Sequence, residues 1–157
     1  FVLVLFAIFA MTIVAVLALG ANQYKSLVER DNNAYNKRII TSYVSAQIRG
    51  YDRADAVKVG GFASPDVDDE VNTLHLLETI DGIRYDLKIY YYQGKVYELF
   101  AAEESEMKPE DGVAIMDAKD LHFEKKGSLI RITSKDSEGR ENETTVSLRS
   151  EESGVAL

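Results

Sequence analysis

The 157-residue chain carries 18 Lys and Arg against 26 Asp and Glu, a net charge of −8, with no Cys, no Trp and two His. This balance argues against a nucleic-acid partner, which needs clustered basic side chains. The missing cysteines exclude disulfides, thiolate metal sites and a thiol nucleophile. An acidic surface suits a soluble body outside the cytoplasm.

The chain opens on FVLVLFAIFAMTIVAVLALGA, Phe1 to Ala21, with Thr12 the single polar interruption and Lys25 the first charged side chain. A helix rises about 1.5 Å per residue, so roughly 20 apolar residues cross the hydrocarbon core of a bilayer. The Thr12 hydroxyl can bond back to its own helix. A cleaved signal, a membrane anchor and a helix that packs on copies of itself all fit that run. Ala18-Leu19-Gly20 has the small residues of a signal-peptidase site, but no basic stretch precedes the run, so a retained helix is expected. Lys25, Arg30, Lys37 and Arg38 follow it, and the positive-inside rule alone places them in the cytoplasm.

No helix breaker separates the run from Asn22 to Tyr51, where Tyr24, Leu27, Val28, Ala34, Tyr35, Ile39, Tyr43 and Ala46 recur at helical steps. Ile40, Val44 and Ile48 add a second stripe. The spacing predicts one helix of about 50 residues, on the order of 75 Å long, ending near Gly50. Its second half has a face to lay on a sheet; its first half has to project into lipid or against identical helices.

Val57 to Glu70 reads as a loop, from Gly60-Gly61 and Ser64-Pro65. Thr73 to Ile80 and Ile83 to Tyr92 flank Asp81-Gly82, a two-residue hairpin signal. Ile83, Tyr85, Leu87, Ile89 and Tyr91 share one strand face and alternate with Arg84, Asp86 and Lys88. Lys95 to Ala101, Val113 to Met116, Leu121 to Lys125, Leu129 to Ser134 and Thr144 to Leu148 complete the predicted strands, an antiparallel meander in two small sheets.

Several residue groups invite a chemical reading. Asp66, Asp68, Asp69 and Glu70 are oxygen ligands of the kind calcium takes, but without the spacing or glycine of a calcium loop, so a solvated loop is expected. Glu103 to Asp111 reads the same way. Tyr90, Tyr91, Tyr92 and Tyr97 are expected to divide between core and rim. His75 and His122 fall in predicted strands with no carboxylate or serine arrangement visible around them, which favours structural histidines. Asn142 heads a short glycosylation-type triplet of little weight. With no phosphate loop, zinc spacing or nucleophile elbow, no catalytic residue, metal ligand or cofactor is assigned, and no enzyme is expected.

The uncharged run, its unbroken amphipathic continuation and the β-rich remainder together resemble the type IV pilin and pseudopilin superfamily. RIITSYVSAQIRGYD, IRYDLKIYYYQGKVYELF and DLHFEKKGSLIRI are similar to minor pseudopilins of competence and secretion systems and to pilin-like proteins of Gram-positive bacteria. The resemblance implies an α+β, type IV pilin-like fold, a long N-terminal helix of about residues 1–51 packed on an antiparallel β meander. It divides the chain into 1–24, an apolar transmembrane and filament-core half of the helix; 25–52, an amphipathic half; and 53–157, a β-rich domain. It implies Phe1 as the site of prepilin-peptidase processing and N-methylation. Phe1, Leu5, Phe6, Phe9, Ala10, Ile13, Val14, Leu17 and Gly20 become the assembly interface.

The implied function is a structural subunit of an extracellular type IV pilus-like filament. It would wait in the cytoplasmic membrane, be drawn out by pilus assembly machinery, and end on the cell surface as a helical homo-oligomer. Leu5 stands where most of that family has a glutamate, and the proline common near the end of the run is missing. Leu5 favours the alternative of a minor tip or priming subunit of a secretion or DNA-uptake system. A monomeric, membrane-anchored extracytoplasmic binding domain is the third reading.

Overall fold

In the computed structural model the backbone is described for residues 1–152 and the side chains for residues 1–13, 16 and 38–150. The chain divides into two compact units, Phe1–Asn36 and Lys37–Leu157. Helix α1 runs from Val2 to Gly50, so its last turns belong to the second unit.

The second unit is built on seven antiparallel strands in chain order: β1 (Val57–Gly60), β2 (Thr73–Ile80), β3 (Ile83–Tyr92), β4 (Lys95–Ala102), β5 (Val113–Lys126), β6 (Leu129–Asp136) and β7 (Glu141–Ser147). A short helix, α2 (Arg149–Glu152), follows. The Asp81-Gly82 and Gln93-Gly94 turns hold both central residues at positive φ. This is the backbone that matches the twist of the strands they join, and glycine takes it without strain.

β5 makes the sheet curl. Its first half, from Val113 to Asp117, pairs with β4; after a register shift between Ala118 and Asp120, its second half pairs with β6. A bulge adds a residue to one strand, bends it and increases its twist. The bent half returns to the start of the sheet. Asn72, just ahead of β2, donates from Nδ2 to the Phe123 carbonyl at 3.2 Å and accepts from the Phe123 N–H at 2.6 Å. Lys125 Nζ donates to the Val57 carbonyl at 2.8 Å. Asn72→Ala leaves the N–H of buried Phe123 without that acceptor and is expected to cost about 1–3 kcal/mol. Urea unfolding checks this, and unchanged stability would mean that Asn72 is no clamp.

One core fills the curl, with Val57, Leu74, Leu76, Ile89, Val96, Phe123, Ile130, Ile132 and Val146 among its buried members. Every strand contributes to it. Ile40, Val44 and Ile48 of α1, four residues apart, close it from the helix side. Each large apolar side chain taken out of water contributes about 1.5–3 kcal/mol, so this core accounts for the packing of α1 on the sheet. The other stripe read on the helix is not the buried one: Ile39 and Ala46 are exposed and Tyr43 half-buried, while Tyr24, Leu27, Val28, Ala34 and Tyr35 lie outside the described side chains.

The expected fold, a type IV pilin-like α+β arrangement with a long helix of about residues 1–51 packed on a meander, is corrected here. The fold is mostly the seven-stranded antiparallel sheet, and the helical segment packed on it is short, Lys37–Gly50. The reason is dimensional. A sheet of this size offers about three helical turns of apolar surface, a small fraction of a 50-residue helix. Two further expectations change. Val57–Gly60 is a strand, and the two small sheets are one sheet bent through β5.

Candidate functional site

The described part of the apolar segment offers one continuous greasy surface. Phe1 is wholly exposed ahead of α1, and its carbonyl accepts from the Leu5 N–H at 3.2 Å. Leu3, Leu5, Phe6, Phe9, Met11 and Ile13 are exposed in turn, with Leu3 at 86% and Phe6 at 71%. Ala10 is exposed among them. Of the residues expected to form the assembly interface, Phe1 just ahead of the helix and Leu5, Phe6, Phe9, Ala10 and Ile13 on it are exposed, while Val14, Leu17 and Gly20 lie outside the described side chains. Thr12 Oγ1 donates to the Phe9 carbonyl at 2.7 Å, so its hydroxyl is satisfied within the helix. Among the described residues no helix is long and apolar enough to cross a membrane.

The sheet unit holds a second feature that alternation along β3 conceals. Asp86, Lys88 and Tyr90 share the face of β3 turned away from α1, as does His75 on β2, and the segment from Gly61 to Val71 covers them. His75 is 0% exposed, Asp86 4% and Lys88 8%. His75 Nε2–H donates to the Gly61 carbonyl at 2.8 Å, and Nδ1 shares a hydrogen bond of 2.7 Å with Asp86 Oδ2. Both ring nitrogens are therefore engaged within the fold. Lys88 Nζ donates to the Phe62 carbonyl at 2.8 Å, lies 4.6 Å from the centre of the Phe62 ring and 4.0 Å from Asp86 Oδ2. Two side-chain donors thus fasten the carbonyls of consecutive residues, Gly61 and Phe62, to the sheet.

Asp69 secures the far end of the same segment, accepting from the N–H groups of Ala63 and Val71 at 3.0 and 2.9 Å. Burial works to raise its carboxyl, but the backbone donors at Ala63, Phe62 and Val71 outweigh it and hold the group below its ordinary value. Asp69 is therefore a fastening for the loop, while Asp66, Asp68 and Glu70 point to solvent. Among the described residues no three His, Asp or Glu converge as a cation site. His122 is exposed. Tyr90 is buried, edge-on to Phe62 and stacked with Tyr97.

Sequence reasoning missed the His75 and Asp86 pair, because charged residues at alternate strand positions look like a solvated face. Its chemistry is structural: His75 has both nitrogens bonded and no exposed surface, which leaves no nitrogen for a substrate proton.

Two tyrosines are shifted strongly. Burial, and then the Glu98 carboxylate that accepts its hydroxyl proton, push Tyr43 up to about 12. Burial, and then Tyr97 and Asp111, push Tyr90 up to about 12. The folded chain holds these protons more tightly than the unfolded chain, whose tyrosines release them near 10. This contribution to stability is whole below about pH 10 and is lost as pH rises through about 12. Urea midpoints measured across that window are expected to fall with pH, and to fall less in Tyr43→Phe.

Residues 35–137 match the model of a family described as a domain of unknown function, DUF4860. No curated protein and no solved structure matches the chain.

Proposed function

The chain belongs to the DUF4860 family, and from that premise we propose that it is a structural subunit of an extracellular type IV pilus-like filament. The observation that carries this reading is the apolar helix. Its described side chains are exposed from Phe1 to Ile13, no charge precedes Lys25, and Thr12 spends its hydroxyl internally. Water is a poor solvent for such a surface, and a patch this continuous marks a contact with lipid or protein. The sheet unit has its own core.

In this reading the segment lies in the cytoplasmic membrane until assembly machinery draws it against identical segments. Lipid and neighbouring helices are equally apolar, so close packing decides between them, and small residues such as Ala7 and Ala10 let helices approach. The sheet then faces outward on the cell surface. Removing detergent from the purified full chain tests this: fibres in the pellet support it, and a monodisperse monomer that enters vesicles without forming fibres favours a membrane-anchored binding domain.

A further inference from the structure

An uncharged helix surface holds copies together but sets their register weakly, since sliding one greasy rod along another sacrifices no charge pair. Register is better specified by charge complementarity elsewhere. The sheet unit carries complementary groups. Arg53, Arg84, Arg131 and Arg140 each pair with a carboxylate. Arg38 and Arg49, both exposed, make no ion pair among the described residues. The two line one groove of about 390 Å³ between α1 and β7, with Thr41, Ser45, Asn142 and Thr144. They stand three helical turns apart, about 16 Å. Among the described residues β7 is an end strand of the sheet, paired only with β6, and such an edge offers backbone groups to an extended chain. Within the groove Asn142 Nδ2 donates to Thr41 Oγ1 at 2.7 Å, and Glu143 is engaged by Arg131 at 3.5 Å.

The matching acids lie between β4 and β5. Glu103 to Lys108 are all exposed, and Ser105–Lys108 belong to neither helix nor strand. Glu103 pairs with Arg84, but Glu104, Glu106 and Glu110 make no ion pair among the described residues. Five residues separate Glu104 from Glu110, a span below the roughly 20 Å of an extended chain because Pro109–Asp111 form a single tight turn. The backbone at the far end of this segment is held, with the Lys108 N–H on Asp111 Oδ2 and the Tyr90 hydroxyl on the Pro109 carbonyl, both at 2.8 Å, and its glutamates stay exposed.

We propose that the groove between α1 and β7 receives the acidic segment Glu104–Glu110 of a second copy of this chain. The groove and the segment are different surfaces, so the contact is head-to-tail, and a head-to-tail contact that does not close propagates into a filament. This contact rests on the filament reading above, and it would supply the register that the helices leave open.

The test is fluorescence anisotropy of a labelled synthetic peptide of residues 102–111 against the detergent-solubilised full chain. Saturable binding is expected, weakened about tenfold or more by Arg38→Glu with Arg49→Glu. A peptide with Glu104, Glu106 and Glu110 all changed to Lys is expected to recover binding to that variant. Both arginines are exposed, and an unchanged thermal midpoint confirms that the variant is folded. Absence of saturable binding, or equal binding by wild type and variant, overturns the proposal. Peptide binding by a chain that forms no fibres would retain the copy-to-copy contact and remove the filament.

Discussion

An Ala10→Asp chain is expected to fold its sheet unit normally and to form no fibres. Position 10 lies among exposed Phe6, Phe9 and Ile13 on a helix with no charge before Lys25. A carboxylate there costs about 2.5–3.5 kcal/mol at the centre of a membrane-spanning helix. It costs several kcal/mol when buried unpaired between protein surfaces. In a helical assembly the penalty recurs in every subunit, so a few kcal/mol per copy prevents growth. Ala10→Ser, which keeps the size small and adds no charge, is expected to assemble. Thermal unfolding separates the two effects, because the core of Lys37–Leu157 does not include position 10. Fibres from Ala10→Asp at wild-type yield would show that this surface is not the assembly surface.

The second large effect is expected inside the sheet unit. His75→Ala removes the partner of a carboxylate that is 4% exposed. Asp86 Oδ1 already accepts no hydrogen bond among the described residues. Asp86 Oδ2 would keep only Lys88 Nζ, at 4.0 Å. Breaking one side of a buried pair costs about 3–5 kcal/mol, because the remaining charge stays desolvated. A small domain is stable by roughly 5–15 kcal/mol, so this single change brings it near unfolding. Changing Asp86 to Ala as well is expected to cost less than the sum of the two single changes, the signature of direct coupling. Additive costs in urea unfolding would place the two groups in separate networks. The segment fastened by His75 and Lys88 should open with the loss, and limited proteolysis between Gly61 and Val71 reports it.

Much of the sheet was legible because local chemistry and tertiary structure agree there. β2, Asp81-Gly82 and β3 appear as expected, since alternation and turn residues point the same way. β5 was less legible: Val113–Met116 and Leu121–Lys125 look like two strands because the bulge at Ala118–Asp120 interrupts the alternation, and only pairing with different neighbours shows them to be one. β1 is four residues long and ends in glycine, too short for a periodicity argument. The His75, Asp86 and Lys88 network was hidden because pattern reading assumes that charged positions face water. A covering loop overrides that assumption. One signal was present: Gly60-Gly61, where a Cβ at either position would collide with the backbone of Pro65 or Val67. Such a glycine pair marks a chain folded closely over something.

The buried network holds the Gly61–Val71 segment on the sheet, while assembly through the exposed helix is the proposal that remains to be tested. The measurement that tests the central claim most directly is electron microscopy of material sheared from producing cells, with mass spectrometry to identify the recovered protein. Thin fibres composed mainly of this chain, absent from cells carrying Ala10→Asp, are the predicted result. Recovery of the chain only from membranes, as a monomer and without fibres, would contradict it.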